Sequence, residues 1–211
     1  GLISGTLVSR LKIPPFIATL GMMMVTKGLS LVLSGAKPVY YPDGWNKIAL
    51  GNIIPGIPNA VLIFVAAAIL ATFLLNKTLL GRYDFAIGSN EEATRLSGVN
   101  VKKWLTIIYM VAGAFCGVAG MLMSSRLGSA QPALGQGYEL EAIAAVVIGG
   151  TSLSGGSGTI LGTVIGAFIM SVLTSGLKIM AVPQEWQTVV IGGVVILAVY
   201  IDILRKRKQA Q

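Results

Sequence analysis

The sequence predicts an all-α fold, a polytopic transmembrane helical bundle with one broken, glycine-rich span. Of the 211 residues, 54% are hydrophobic and 11% are charged, whereas soluble domains carry about 25% charged residues. Five stretches qualify, outright or nearly so, against the roughly 20 apolar residues that a helix needs to cross a bilayer. These predicted spans cover residues 16–35, 58–76, 104–123, 159–176 and 186–204.

Two shorter apolar stretches complete the pattern. Residues 1–9 open the sequence inside an apolar run, and we therefore expect the chain to be truncated at its N-terminal side. Residues 138–150 lead directly into TSLSGGSG at 151–158, which predicts a crossing whose second half is irregular. Such backbone is tolerated at membrane depth only beside protein or a water-filled cavity. We expect all seven segments to form a single transmembrane domain over residues 1–211.

The distribution of basic residues predicts the orientation of the spans, because cytoplasmic loops of membrane proteins are enriched in lysine and arginine. With a cytoplasmic C-terminus, the cytoplasmic pieces hold 11 basic residues, the outer pieces hold 4, and Lys27 lies within a span. The cytoplasmic residues are Arg10, Lys12, Lys77, Arg82, Arg95, Lys102, Lys103, Arg205, Lys206, Arg207 and Lys208, and the outer residues are Lys37, Lys47, Arg126 and Lys178. We therefore interpret the net charge of +8 as a topology signal and expect no nucleic-acid partner.

The composition also excludes several kinds of chemistry. Histidine is absent from the sequence, so triads and metal sites built on imidazole are excluded. The single cysteine, Cys116, stands among apolar residues and is interpreted as a small buried side chain. We expect no metal and no cofactor. Lys27 could serve structure or function, but a lone lysine in the spans is poor machinery for coupling transport to an ion gradient.

The glycine-rich stretch GGTSLSGGSGTILGTVIG at 149–166 has two interpretations. It nearly traces a phosphate-binding loop, but Gly156 occupies the lysine position, and we reject nucleotide binding. Regularly spaced glycines instead favour close helix approach. The predicted helix-packing residues are Gly113, Gly117, Gly158, Gly162 and Gly166.

The broken span is the candidate lining of a path through the membrane. Interrupted helices expose free backbone groups at membrane depth, and many transporters use them for this purpose. The candidate path residues are Glu139, Glu141, Gly149, Gly150, Thr151, Ser152 and Ser154. The two glutamates have an alternative interpretation as carboxylates that stabilise a helix N-terminus.

The most polar part of the chain is the loop at 77–103, which reads GRYDFAIGSNEEATRLSGVNVKK over residues 81–103. Asn90 can cap a short helix whose first turn carries Glu91 and Glu92, and Gly98 can end it. A loop of this length exceeds what a bare connection requires. It is either a solvated connector or an element that binds a partner and transmits force.

Three stretches resemble a known family: residues 14–35, 81–101 and 124–168, the last reading SSRLGSAQPALGQGYELEAIAAVVIGGTSLSGGSGTILGTVIGAF. The chain resembles the membrane permease subunits of ATP-binding-cassette importers for ribose, xylose, arabinose and galactose. The ribose permeases are the most similar, chiefly through RLGSAQP and GYELEAIAAVVIGGTSL. Relative to that family, the chain resembles the C-terminal two thirds or so of a permease.

The resemblance implies roles for the polar loop. The family's coupling motif has Glu-Ala-Ala followed by Gly, and here Glu92-Ala93-Thr94 precedes Gly98, with threonine in place of the second alanine. By resemblance, a cytoplasmic coupling helix would insert into a cleft of the ATPase. The implied coupling residues are Asn90, Glu91, Glu92, Ala93, Thr94, Arg95 and Gly98.

The resemblance also implies the partners and the location. An ABC ATPase subunit, an extracytoplasmic sugar-binding protein and a second permease copy would complete a transporter in a prokaryotic inner membrane. The chain itself would not be an enzyme. The alternatives are a permease for branched-chain amino acids or another furanose-type solute, and an ion-coupled secondary transporter.

Overall fold

A computed structural model describes residues 1–42 and 44–209, without the side chains of residues 205–209. The described part is almost entirely helical, which confirms the predicted fold class. Its elements are α1 (Leu2–Leu11), α2 (Pro15–Ser34), β1 (Val39–Tyr40), α3 (Lys47–Leu50), α4 (Asn59–Lys77), α5 (Leu79–Ser89), α6 (Glu91–Leu96), α7 (Val101–Leu127), β2 (Ser129–Ala130), α8 (Tyr138–Ile148), α9 (Ile160–Ile179) and α10 (Gln184–Gln209).

Five of these helices are long and apolar enough to cross a membrane: α2, α4, α7, α9 and α10 as far as Leu204. They coincide with the five predicted spans to within a few residues. Their surfaces carry large apolar side chains that the chain leaves uncovered, such as Leu33 and Ile179, each 85% exposed. Such surfaces suit lipid, because lipid tails are as apolar as leucine.

The chain divides into two compact units. The first comprises residues 1–87 and 91–134, and the second comprises residues 88–90 and 135–211. The single domain over residues 1–211 stays a prediction.

In the first unit, α1 packs against α7 at close range. A β-carbon added to Gly5 would lie 3.0 Å from the Cα of Thr106, so the missing side chain allows the two helices to approach. The hydroxyls of Ser9 and Thr106 share a hydrogen bond of 2.8 Å across the same interface.

The same unit contains a small layer that the sequence pattern did not predict. Strand β1 pairs antiparallel with β2, with Val39 opposite Ala130 and Tyr40 opposite Ser129. The short helix α3 packs on α7. Ser125 of α7 is fully buried there; its hydroxyl donates to the Trp45 carbonyl (2.8 Å) and accepts from the Ala49 N–H (3.0 Å).

In the second unit, α8 packs on α9 and on α10. The core consists of Ala144, Ala145 and Met170, against which α10 packs Ile191, Val194 and Val195. Small residues on α8 allow this packing, since an alanine face admits the larger side chains of its neighbours.

The segment 77–103 contains a helix, α5, in addition to the short helix that was predicted after Asn90. One expectation is corrected. Cys116 is exposed on α7 and not buried. Among the residues that the structure describes, no other helix covers that face, and an apolar flank suits lipid as well as a protein core.

Candidate functional site

Helix α6 presents a charged surface and an apolar tip. Its buried residue is Thr94, whereas Glu92 and Arg95 are exposed and form an ion pair of 3.1 Å. An exposed pair of this kind contributes little to stability. Leu96 is 80% exposed and lies four residues after Glu92, on the same helical face. The face that carries Glu92 and Leu96 is therefore available to a partner.

The ends of α6 are defined by its flanking residues. The helix begins at Glu91, directly after Asn90, and stops before Gly98, which has φ +84°. The N–H of Gly98 donates to the Arg95 carbonyl at 3.1 Å. A left-handed residue of this kind commonly ends a helix, and glycine adopts it without a steric penalty. Asn100 then caps α7, since its side chain accepts from the Lys103 N–H at 3.1 Å.

A sharp bend joins α4 to α5. The Thr78 hydroxyl donates to the Leu74 carbonyl at 2.6 Å and accepts from the Leu80 N–H at 3.2 Å. A β-carbon at Gly81 would overlap the Leu75 carbonyl oxygen, so the bend requires glycine there. Beyond the bend, the ring of Tyr83 meets that of Trp104 at a centroid distance of 4.7 Å, which attaches α5 to α7.

One carboxyl group on α5 is perturbed. Burial raises the pKa of Asp84 above its ordinary value, because desolvation disfavours the charged form. Asp84 therefore lowers the stability of this region when it is ionised.

The start of α8 carries the two candidate glutamates. The carboxylate of Glu139 accepts a hydrogen bond of 3.0 Å from the Gly137 N–H. Glu141 is half-buried two residues further on. Glu139 therefore satisfies a free backbone donor at the helix start, and the structural alternative for this residue gains support.

The end of α8 is a glycine-terminated cap. Gly150 has φ +85°, its N–H donates to the Val147 carbonyl (2.9 Å), and the Thr151 N–H donates to the Val146 carbonyl (3.1 Å). This bond pattern is the Schellman motif. It satisfies the last carbonyls of the helix at the point where the span becomes irregular.

The irregular loop after α8 is closed on itself. The Ser152 N–H donates to the Ser157 carbonyl (3.0 Å), and the Gly155 N–H donates to the Ser152 carbonyl (3.2 Å). The Ser152 hydroxyl, in a residue that is only 9% exposed, accepts from the Ser154 N–H (3.2 Å). These bonds close the loop and satisfy the N–H groups of Ser152, Ser154 and Gly155.

Glycines set the distance between α8 and α9. A β-carbon at Gly166 would overlap the Ala145 carbonyl oxygen, and one at Gly162 would overlap that of Gly149. A β-carbon added to Gly158 would lie 2.5 Å from the Cγ2 atom of Thr151.

The glycines of α7 behave differently. Gly113 lies against Gly1, with 2.7 Å between an added β-carbon and the Gly1 Cα. An added β-carbon at Gly117 would meet nothing within 4 Å in the described part of the chain.

The residues just before α6 contact the closed loop. A β-carbon added to Gly88 would lie 2.8 Å from the Gly156 nitrogen, and one added to Gly155 would lie 2.6 Å from the Gly88 carbonyl oxygen. A β-carbon at Gly156 would lie 3.1 Å from the Ser89 Cα. All of these residues belong to the second unit. The structure therefore brings together the two residues directly before the coupling segment and the end of the broken span.

Sequence reasoning missed Leu96, Gly81 and Gly88. Leu96 could have been found as an apolar residue on the charged side of a short helix. No pattern in the sequence indicates the contacts of Gly81 and Gly88, because the requirement for glycine at a position depends on the neighbour that the fold places against it. Lys27 is exposed on α2. In the described residues, no group of three or more metal-binding side chains lies together.

Five membrane-length apolar helices and an interrupted span define the class of this chain as a multi-pass helical membrane protein. Residues 1–199 match the family model described as "Branched-chain amino acid transport system / permease component". The chain belongs to this family of membrane permeases.

The chain is similar to curated permeases named for sugars. The ribose import permease protein of Escherichia coli strain K12 is 42% identical over 207 residues, which are 96% of this chain and 64% of that protein. The corresponding Bacillus subtilis protein is 44% identical over 202 residues, 94% of this chain and 62% of that protein. The xylose transport system permease protein of Haemophilus influenzae is 48% identical over 161 residues, 76% of this chain and 43% of that protein.

The chain thus spans just under two thirds of the length of the ribose permeases that it matches. No solved structure matches it significantly.

Proposed function

We propose that this chain forms the membrane path of an ATP-driven importer for a monosaccharide such as ribose. The observation that carries the proposal is 42% identity with a ribose import permease along 96% of the chain. A match along 96% of the chain extends over the polar loop and the broken span as well as over the apolar helices. The chain would be a transporter subunit without catalytic residues, and ATP would be hydrolysed by a separate subunit.

The proposed location is the inner membrane of a prokaryote, with several crossings and a cytoplasmic C-terminus. The excess of lysine and arginine in one set of loops supports this orientation. The contact of Gly155 with Gly88 supports it independently. If 138–158 crosses fully, its end reaches the cytoplasmic side, where Gly88 lies in the same scheme.

The proposed coupling element is the segment 90–98 with α6 at its centre. Its exposed charges, Glu92 and Arg95, flank the exposed apolar side chain of Leu96. An exposed apolar side chain among charged ones resembles the apolar centre and polar rim of a protein interface. The ATPase subunit is the proposed partner, and Asn90, Glu91, Ala93, Thr94 and Gly98 would shape and end the helix.

The proposed path runs beside the broken span. Gly149, Gly150, Thr151, Ser152 and Ser154 offer backbone and hydroxyl groups of the kind that bind sugar hydroxyls. Glu139 and Glu141 lie at the other end of the same segment, toward the proposed outer side. A second permease copy would face this lining, and a sugar-binding protein would deliver the substrate from outside.

Reconstitution of the complete transporter tests the proposal. The full-length permease is placed in liposomes with its ATPase and binding protein, and uptake of radiolabelled ribose is measured with an ionophore present. We expect uptake that requires ATP and that unlabelled ribose competes away. Uptake that the ionophore abolishes would instead identify an ion-coupled transporter.

The same assay separates the substrate classes. The family description mentions branched-chain amino acids, whereas the similar permeases cited above are named for ribose and xylose. Competition by leucine and not by ribose would replace the sugar with an amino acid and leave the ATP-driven class intact.

A further inference from the structure

The backbone contact between Gly88 and the loop at 151–157 has no role in the function proposed so far. Gly88 lies at the end of α5, two residues before the proposed coupling segment, and Gly155 lies in the loop that ends the broken span. Glycine allows two main chains to come into direct contact without an intervening side chain. A movement of one main chain toward the other then displaces the second. The contact therefore joins the residues that precede the proposed coupling segment to the proposed lining of the path.

We propose that Gly88, Gly155 and Gly156 form a joint through which displacement of α6 reaches the broken span. This inference rests on the proposed function of α6 as the ATPase docking helix. It assigns these glycines as positioning residues, since none of them would touch the ATPase or the sugar.

The first side of the joint is continuous with α6. Only Ser89 and Asn90 separate Gly88 from Glu91, and Gly88 and Ser89 belong to the last turn of α5. A displacement of α6 therefore acts on Gly88 through two residues of chain. A longer or looser connection would absorb the movement within its own dihedral angles.

The second side of the joint is a closed loop that moves as one body. Its internal bonds join Ser152 to Ser157 and Gly155 to Ser152. The Schellman cap at Gly150 fixes the loop to α8, and the Gly162 contact fixes α8 to α9. Pressure at Gly155 is therefore passed to the candidate path residues at 149–154.

The geometry at the joint requires glycine on both sides. Gly155 and Gly156 have φ +85° and +79°, values that side chains disfavour. Gly88 is helical, so its requirement for glycine comes from the contact alone. An alanine there favours the helix itself but places its β-carbon 2.8 Å from the Gly156 nitrogen.

The test compares Gly88→Ala with Gly176→Ala in the complete reconstituted transporter. Gly176 is also helical, and a β-carbon there would meet nothing within 4 Å in the described residues. Sugar uptake and ATP hydrolysis are measured together. For Gly88→Ala we expect retained ATPase association and hydrolysis, with sugar transported per ATP reduced by roughly 5-fold or more, the range of an ordinary coupling free energy. Gly176→Ala should keep the wild-type ratio.

A cross-link decides the matter if Gly88→Ala fails to assemble. Ser89→Cys with Gly156→Cys, in a Cys116→Ser background, places two thiols across the joint, with β-carbons 3.1 Å apart before adjustment. A disulfide needs about 3.5–4.5 Å, a shift of a few tenths of an ångström. We expect the disulfide to form and to leave uptake as it is in the reduced double-cysteine protein, because the joint stays closed while it moves. The reduced double-cysteine protein is the reference, because Gly156→Cys itself strains the loop.

Three results would overturn the joint: an unchanged ratio in assembled Gly88→Ala, a disulfide that does not form, or a disulfide that stops uptake until it is reduced. Each requires a wild-type transporter that takes up sugar with ATP. If the wild type itself shows no ATP-driven uptake, the proposed function fails, and the joint fails with it.

Discussion

The polar segment 78–100 and the broken segment 138–159 make contact by opposite means. The first displays side chains, since Glu92, Arg95 and Leu96 are all exposed around α6. The second has no charge after Glu141, and its glycines bring main chain against main chain. Side chains on a short helix suit binding to another protein. Backbone contacts without side chains suit the transmission of a movement, because they leave little space for independent adjustment.

The difference predicts two kinds of mutational defect. Substitutions in the polar segment should weaken assembly and leave the helices of the chain intact. Substitutions at the glycine contacts should alter the packing or the coupling of an assembled transporter.

Deleting residues 91–95, or reversing their charges through Glu92→Lys with Arg95→Glu, should abolish both uptake and association with the ATPase. Membrane insertion should persist, because no predicted span is touched. Co-purification of the ATPase measures the effect, and protease protection checks insertion. Full uptake in the charge-reversed protein would show that α6 is not part of the docking surface.

Gly166→Ala should destabilise the broken segment, because its β-carbon would overlap the Ala145 carbonyl oxygen. Overpacking of this kind costs about 1–3 kcal/mol. The midpoint of thermal unfolding in detergent should fall, whereas that of Gly176→Ala should not. Equal midpoints for the two variants would show that the α8–α9 distance is adjustable.

Ser125→Ala provides a reference outside both segments. It leaves the Trp45 carbonyl and the Ala49 N–H without their buried partner, which costs about 1–3 kcal/mol. Ser124→Ala is the matched control, since that hydroxyl bonds only within its own helix. The thermal midpoint should fall for the first variant alone, and sugar per ATP should stay unchanged in both. A changed ratio of sugar to ATP would show that coupling is not confined to the polar segment and the broken segment.

Asp84→Asn should raise stability slightly at neutral pH. Burial raises the pKa of Asp84, so the folded state favours the neutral carboxyl. The stabilisation from the neutral Asp84 carboxyl is complete below the ordinary pKa of an aspartate, about 3.9. It is lost as the pH rises through the raised pKa of Asp84 in the folded state. The thermal midpoint of the variant should therefore exceed that of the wild type at pH 7 and match it at pH 3.5. Glu91→Gln, at an exposed carboxylate, is the control.

The long helices were predictable from the sequence, and the contacts between them were not. Twenty apolar residues specify a crossing wherever they occur, so α2, α4, α7, α9 and α10 follow from composition. Helix α6 was also predictable, from Asn90, two glutamates and Gly98 in order. Helix α5 was hidden because charged residues interrupt its apolar pattern. Its position follows from the bend at Gly81 and from the contact of Tyr83 with Trp104, which the sequence pattern does not indicate.

The candidate site divides in the same way. The spacing of Gly158, Gly162 and Gly166 indicated a face for close packing, and the structure supplies the neighbours, namely Thr151, Gly149 and Ala145. Gly88 stood out by no pattern at all. Its partner is 67 residues away in the chain, and only a fold brings such residues together.

The docking of α6 on an ATPase subunit is the central claim, and a site-directed photo-cross-link tests it most directly. A benzophenone is attached to Leu96→Cys, 80% exposed, or to Ile53→Cys, 78% exposed in the loop before α4, both in a Cys116→Ser background. In the assembled transporter, we predict an adduct with the ATPase from position 96 and none from position 53. An ATPase adduct from position 53 with none from position 96 would contradict both the docking surface and the orientation.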